Sequence, residues 1–267
     1  MQLALMAGLV VGACAPLIGV FLVQRRMALM GDGIGHLAFA GVAAGVLADV
    51  WPVWTALLVA VAGALAVEWL RARGTAQGDL ALATFFYGGI AAGVVLVSKA
   101  DALDTNLLAY LFGSILTVDR GEVVVVMILG LVILATIAVA RRSLFAMAID
   151  EEWSQVAGLP VAALNAALAV LVAVTIVAAM RVVGILLVAA LMVLPVGGAQ
   201  LLARSQRGVL AWSVAIGTAS VVIGLGMARA WGLAPGGTIV LVAVGFFALL
   251  AMADAVTGER RLVRSQR

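Results

Sequence analysis

Residues 122–140 read EVVVVMILGLVILATIAVA and are followed directly by Arg141 and Arg142. This stretch is apolar for nearly its whole length, and it is close to the ~20 residues that an α-helix needs to cross a bilayer. A membrane-spanning β-strand would be about 10 residues long and would alternate polar with apolar residues. No such alternation is present, so the stretch predicts a transmembrane helix that ends at an arginine pair.

Apolar stretches of this length recur along the whole chain. Of its 267 residues 66% are hydrophobic and 11% are charged, whereas soluble domains carry about 45–50% apolar and about 25% charged residues. The sequence therefore predicts an all-α polytopic membrane protein with about eight to nine transmembrane helices. The predicted spans are residues 3–23, 27–48, 53–70, 80–98, 122–140, 164–180, 182–203, 209–228 and 238–256.

The basic residues predict the orientation of these spans. Twelve of the sixteen form clusters, at residues 25–26, 71–73, 141–142, 204–207 and 260–267. All five clusters are cytoplasmic if the amino terminus is outside, because the positive-inside bias then holds at every second boundary. The other four basic residues fall singly on the outer side. No basic stripe with interleaved aromatic residues indicates nucleic-acid binding.

One further apolar stretch, NLLAYLFGSILTV at 106–118, is too short for a span. A full crossing there would place the arginine pair at 141–142 on the outer side. We therefore expect a short or re-entrant helix at the outer face, covered by protein or water.

The polar loop at 141–161, RRSLFAMAIDEEWSQVAGLPV, predicts a short cytoplasmic helix over about 151–157. Asp150 is a favourable N-cap residue. Gly158 followed by Pro160 is a helix stop signal.

The surface of that short helix predicts a docking site. Glu151 and Glu152 fall in its first turn, where carboxylates favour the helix dipole. Exposed apolar side chains are expected at Met147, Trp153 and Val156. The alternative interpretation is an interfacial helix that lies on lipid.

The only histidine of the chain, His36, follows Asp32 by four residues within MALMGDGIGHLAFAG at 27–41. Residues four apart share one helix face. In the predicted span, Asp32 lies about 9 Å and His36 about 15 Å from the inner end, at ~1.5 Å per residue. A carboxylate at the centre of a span costs at least about 2.5–3.5 kcal/mol, so a compensating interaction is expected.

Carboxylate and imidazole together suit a borderline divalent ion such as zinc. Two other interpretations stay open, an Asp–His hydrogen bond that only satisfies both groups, and a proton relay. The glycines at 31, 33 and 35 either let a second backbone approach or let the helix unwind. The chain has no G-x-x-x-x-G-K-[ST] sequence for binding ATP and no nucleophile elbow, which disfavours an intramembrane hydrolase.

Four stretches resemble the membrane permeases of bacterial ABC importers for zinc and manganese, in the same order. They are RRMALMGDGIGHLAFAGVAAG (25–45), LLAYLFGSILTV (107–118), VVGILLVAALMVLPVGGAQLLA (182–203) and PGGTIVLVAVGFFAL (235–249). The form AYLFG is more similar to the zinc permeases than to the manganese permeases.

The resemblance implies a homodimer that carries a pair of ATPase subunits and is fed by an extracytoplasmic metal-binding protein. It implies a transported divalent metal, with zinc first and manganese or iron next, and no permanently bound cofactor. Asp32 and His36 match the metal-binding positions of the first signature. Many relatives have an aspartate where this chain has Asn106. If that acid binds metal at the outer gate, this chain either lacks it or uses Asp101 or Asp104 instead, so Asn106, Asp101 and Asp104 are the weaker candidate ligands.

The resemblance also implies that the loop at 150–159 is the cytoplasmic coupling helix. The residues expected to contact the ATPase are Asp150, Glu151, Glu152, Trp153, Ala157 and Gly158. We expect one permease domain over 1–258 and a basic cytoplasmic tail over 259–267, in the bacterial inner membrane. ATP hydrolysis is expected in the partner subunits. The alternative function is a stand-alone, proton-coupled secondary metal transporter.

Overall fold

The computed structural model describes residues 2–73, 78–99, 105–114 and 119–265. Across these ranges the chain forms eleven α-helices and no strand. They are α1 (Gln2–Gln24), α2 (Met30–Leu47), α3 (Pro52–Ala72), α4 (Gly78–Lys99), α5 (Thr105–Phe112), α6 (Arg120–Ile149), α7 (Glu151–Val156), α8 (Val161–Ala179), α9 (Ile185–Leu202), α10 (Gln206–Trp231) and α11 (Pro235–Ser265).

Nine of the helices in the described ranges are long and apolar enough to cross a membrane. Each overlaps one of the predicted spans, and the two short helices, α5 and α7, are the predicted non-spanning ones. The end of α1, helix α7 and the starts of α8 and α10 lie together. Arg25 beyond α1 contacts Glu151 of α7 and Asn165 of α8, and Gln24 donates to Gln206 of α10. We refer to this end as the inner end, by the positive-inside rule.

The fold corrects the predicted loop at 141–161. Helix α6 does not end at the arginine pair but continues to Ile149. Only the last part of the predicted loop therefore connects α6 with the helices that follow. Met147, expected on the surface, is buried within this helix extension. The other end of α6 is fixed by a capping box, in which the Asp119 side chain accepts from the backbone N–H of Glu122 and the Glu122 side chain accepts from Asp119 N at 3.2 Å.

Two further boundaries differ from simple sequence signals. Proline in a helix interior usually kinks or breaks the helix, but α9 continues through Pro195 as one helix. The backbone of α11 continues as helix to Ser265, so no helix end marks the predicted boundary between 258 and 259. The role of residues 259–267 as a basic tail stays a prediction.

The helices differ in how deeply they are packed. Most of α8 is buried among α1, α3 and α6, whereas little of α4 and of residues 235–256 in α11 is buried. Helix α2, which carries the Asp–His pair, packs against α3, α4, α8 and α9. The candidate site therefore lies between the buried centre of the bundle and its exposed α4 flank.

Candidate functional site

The turn between α1 and α2 sets the position of the Asp–His pair. Helix α1 ends in a Schellman motif, in which Met27 N donates to Leu22 O at 2.8 Å and Arg26 N donates to Val23 O at 3.1 Å. Arg26, with φ +58°, occupies the left-handed position that glycine usually takes. Because this turn uses residues 26–29, α2 begins only at Met30.

The late start of α2 sets where the pair lies along the helix. Asp32 lies in the first turn of α2, where the positive end of the helix dipole favours a carboxylate. His36 lies six residues, about 9 Å, from the start of the helix. Asp32 is therefore close to the inner end of α2, whereas His36 lies nearer the midpoint of the helix.

The surroundings of the pair are aromatic and open to one side. The His36 ring packs edge-on against Phe86 of α4, with ring centroids 4.3 Å apart. Asp32 lines a cavity of about 310 Å³ between α2 and α4. Its other lining residues are Leu29, Leu82, Ala83, Phe86 and Tyr87. The Tyr87 side chain is mostly exposed, so the cavity opens on the lateral surface of the bundle.

The glycines around the pair allow close approach, and α2 does not unwind there. A Cβ atom on Gly89 of α4 would lie 2.8 Å from the carbonyl carbon of His36. On the other side of α2, a Cβ on Gly31 would lie 3.2 Å from Ala189 Cβ of α9, and one on Gly35 would lie 3.3 Å from Ile185 O. These contacts fix α2 between α4 and α9.

The described ranges do not contain a complete cluster of metal ligands. No group of three or more His, Cys, Asp or Glu side chains that could hold a metal ion is found there. Asp101 and Asp104 lie outside the described residues. Asn106 lies in α5, and its side chain is likewise outside what is described. The predicted outer ligands therefore stay predictions.

The short helix predicted over about 151–157 is present as α7. Its N-cap is Asp150, whose side chain accepts from Trp153 N at 2.9 Å. Its end is a Schellman motif, with Leu159 N donating to Ser154 O at 3.0 Å and Gly158 N to Gln155 O at 3.0 Å. Gly158 has φ +82°, which explains why glycine is needed at the predicted stop.

Helix α7 presents an apolar surface outward. The Trp153 and Val156 side chains are 64% and 88% exposed. Glu152, Ala157 and Gly158 are also exposed. The six-residue helix thus has the exposed face that a docking site requires, although Met147 does not contribute to it.

Sequence reasoning missed a polar cluster that ties α7 to the bundle. The guanidinium of Arg25 contacts both Glu151 and Asn165. Burial alone would raise the pKa of the Glu151 carboxyl, but the hydrogen bond from Asn165 and the charge of Arg25 outweigh it and hold that pKa below its usual value. The only sequence signal for this cluster is Asn165, a polar residue near the start of an apolar span. Its partners Glu151 and Arg25 are 14 and 140 residues away in the sequence.

Comparison with known proteins gives consistent matches over nearly the whole chain. The model of the ABC 3 transport family matches residues 1–254. The high-affinity zinc uptake system membrane protein ZnuB of Haemophilus influenzae is 28% identical over 246 residues, covering 92% of this chain and 94% of the relative. The manganese transport system membrane protein MntC of Halalkalibacterium halodurans is 32% identical over 249 residues, covering 93% and 85%.

A solved structure shows the same fold. The structure titled PsaBC from Streptococcus pneumoniae in complex with Fab matches with a TM-score of 0.84 and 30% identity, covering 93% of this chain and 90% of the matched chain. With nine apolar helices in the described ranges and these matches, the chain belongs to the ABC 3 transport family, the permeases of zinc and manganese ABC importers, and is a multi-pass protein of the bacterial inner membrane.

Proposed function

We propose that this chain is the membrane-spanning subunit of a zinc importer that works as a homodimer. The observation that carries the proposal is the position of Asp32 and His36. They occupy one face of α2 beside a cavity that opens on the lateral surface of the bundle. A half-site in such a place is suited to completion by a second copy.

Zinc usually takes four protein or water ligands, and a single Asp–His pair supplies two. A two-fold axis along the membrane normal would bring two copies of the pair to the same depth. The resulting set of two imidazoles and two carboxylates suits zinc. Helix α4 is exposed, and its residue Tyr87 lies beside the cavity. The exposed surface of α4 is therefore the surface we expect to contact the second copy. An ion must also leave the site, so we expect a long bond or a water among the ligands.

The ligand types support zinc as the first candidate for the transported ion. Imidazole suits zinc better than manganese, and zinc binds more tightly than manganese at most nitrogen and oxygen sites. Manganese and iron are the next candidates, since relatives of this chain are named for both zinc and manganese transport.

The exposed face of α7 supports the docking of a separate ATPase subunit. Trp153 and Val156 present apolar area to the inner side, and the chain itself has no phosphate-binding loop sequence. We expect ATP hydrolysis in that subunit and metal delivery by an extracytoplasmic binding protein. The stand-alone secondary transporter is not favoured, because the family match places the chain among ABC permeases.

Uptake of radioactive zinc into vesicles tests the proposal. The vesicles contain the permease with its ATPase and binding protein. Asp32→Asn and His36→Ala should each abolish ATP-dependent uptake while the complex still assembles, because the two side chains are ligands. Asp49→Asn is the matched control, since Asp49 is an exposed carboxylate beyond the other end of α2. Normal uptake by His36→Ala would overturn the site assignment.

Cross-linking tests the shared site. His36→Cys in a Cys14→Ala background should give a dimer cross-linked by a short reagent or a bridging metal. Because Zn–N bonds are ~2.0–2.1 Å long, two His36 side chains more than about 15 Å apart in every state would exclude a shared site.

A further inference from the structure

Three polar side chains from separate parts of the chain meet at the inner end. Arg25 Nη2 lies 2.6 Å from Glu151 Oε2, and Arg25 Nη1 donates to Asn165 Oδ1. Asn165 Nδ2 donates to Glu151 Oε1 at 3.0 Å. Each member therefore contacts the other two, and we refer to Arg25, Asn165 and Glu151 as the inner bridge.

The inner bridge has one end fixed in the bundle and one end at the surface. The Arg25 side chain is only 5% exposed, whereas the Glu151 side chain is 40% exposed. Glu151 is the first residue of α7, and a six-residue helix is too short to be stable alone. The orientation of α7 therefore depends on its contacts, and the charge-assisted bond to Arg25 is among the strongest kinds of contact available to it.

The same arginine begins the turn that leads to the metal half-site. Arg25 is followed by the Schellman turn, and α2 then starts at Met30, with Asp32 in its first turn. Helix α3 holds this turn from the other side. Arg71 donates twice to Glu68 at 3.1 Å and contacts Met27 Sδ at 3.2 Å. A displacement of α7 therefore acts on a short, well-fixed segment that ends at Asp32.

We propose that the inner bridge is the element that carries motion of α7 to the start of α2, so that movement of the ATPase changes the geometry at Asp32. Arg25, Asn165 and Glu151 are positioning residues in this proposal, since none of them contacts the metal. The inference rests on the proposed function, because it assumes that α7 docks an ATPase and that Asp32 binds the transported ion.

An exchange of amide and carboxylate tests the bridge with nearly unchanged side-chain shapes. Asn165→Asp keeps an acceptor for Arg25 but places two carboxylates against each other. Adding Glu151→Gln to it restores every contact, since a glutamine amide donates to the new aspartate and its oxygen accepts from Arg25. The measured quantity is zinc imported per ATP hydrolysed by the reconstituted complex.

We expect Asn165→Asp to lower this ratio about tenfold, which is about 1.4 kcal/mol and within the range for residues of one network. The double variant should return to the wild-type ratio. Arg204→Gln should match wild type, because Arg204 is an exposed arginine of another basic cluster, outside both the bridge and the α1–α2 turn. Gel filtration should show ATPase subunits bound in every variant.

Two results would overturn the inference. An unchanged ratio in Asn165→Asp would show that the bridge carries no motion. Loss of folded complex that the double variant does not restore would show a structural role only. Failure of the proposed function looks different, because wild type itself would then show no ATP-dependent zinc uptake, or Asp32→Asn would import normally.

Discussion

Each end of the bundle holds an arginine paired with a glutamate, and the two pairs have different surroundings. At the inner end Arg25 pairs with Glu151, whose side chain is 40% exposed. Beside it is a cavity of about 810 Å³, lined in part by Glu68 and Arg71. At the outer end Arg181 Nε lies 2.7 Å from Glu122 Oε1, and these side chains are only 12% and 9% exposed.

The backbone around the outer pair is closely packed. The Arg181 guanidinium lies 4.5 Å from the centre of the Tyr110 ring of α5, and Ser114 N donates to Arg181 O at 3.0 Å. A Cβ on Gly236 of α11 would lie 1.8 Å from Val183 O. The α8–α9 turn therefore holds α5 and α11 by contacts that leave no room for an added atom.

The comparison separates a fixed end from an end that has room to move. The outer pair lies at a turn whose backbone is in close contact with α11 and with the end of α5, so its charges stabilise one arrangement. The inner pair joins the bundle to a short exposed helix beside a cavity. This difference is what an importer driven from its inner side requires, and each prediction below tests one side of it.

The largest effect is expected from Gly236→Ala at the outer end. The added methyl group would collide with the carbonyl oxygen of Val183, and backbone atoms cannot move aside as a flexible side chain can. We expect a loss of at least about 3 kcal/mol, the upper part of the overpacking range. Thermal unfolding in detergent measures it. Gly237→Ala is the control, because a Cβ there meets nothing within 4 Å; equal melting temperatures for the two variants would contradict the close packing.

Neutralising the two glutamates compares the pairs directly. Glu122→Gln leaves the Arg181 guanidinium without its carboxylate in a buried place, which costs roughly 3–5 kcal/mol. Glu151→Gln should cost less, because the Glu151 side chain is 40% exposed and the Arg25 guanidinium still donates to Asn165 in the variant. Melting temperatures of the two variants give the ranking. The reverse order would show that the inner end, and not the outer, is the rigid one.

At the inner end, Gly158→Arg should release the ATPase while the permease stays folded. The positive φ of Gly158 disfavours any other residue, and arginine adds bulk beside Trp153 and Val156. Co-purification of the ATPase subunits measures the effect. Gly158→Ala tests backbone strain alone and Ala157→Arg tests bulk alone. An intact complex with undiminished coupled transport in Gly158→Arg would remove α7 from the docking surface.

The sequence predicted the parts of the fold that depend on local pattern. Hydrophobic length identified all nine spans of the described ranges, and Asp150 with Gly158 identified both ends of α7. The sequence prediction placed the start of α2 three residues too early, because the usual local signals are missing. Arg26 occupies a left-handed position where glycine is the usual residue, and the N-cap residue Leu29 makes no side-chain hydrogen bond.

The parts that the sequence did not predict depend on distant residues. Arg25 and Glu151 are 126 residues apart, and Glu122 and Arg181 are 59 positions apart in the sequence, so no local pattern relates them. Met147 was predicted exposed because it falls in a polar loop sequence, yet α6 continues past the arginine pair and buries it. The sequence correctly predicted that Asp32 and His36 are neighbours on α2. It did not predict the cavity beside them, because that cavity depends on how α4 packs against α2.

The smallest effect expected is the pH dependence of the inner pair. The pKa of the Glu151 carboxyl lies below its usual value, because the hydrogen bond from Asn165 and the Arg25 charge outweigh the opposing effect of burial. A lowered pKa in the folded protein means that the stabilisation is fully present above the unfolded pKa of about 4.3 and is lost as the pH falls through the folded value. Wild type should therefore melt above Glu151→Gln by a constant margin from about pH 7 to about pH 5, and the margin should shrink at lower pH. Glu152→Gln, which removes an exposed carboxylate from the same turn without touching the inner bridge, controls for net charge. A margin that grows as the pH falls would mean that the Glu151 carboxylate is destabilised in the folded protein, and the inner pair would then not be a stabilising contact at all.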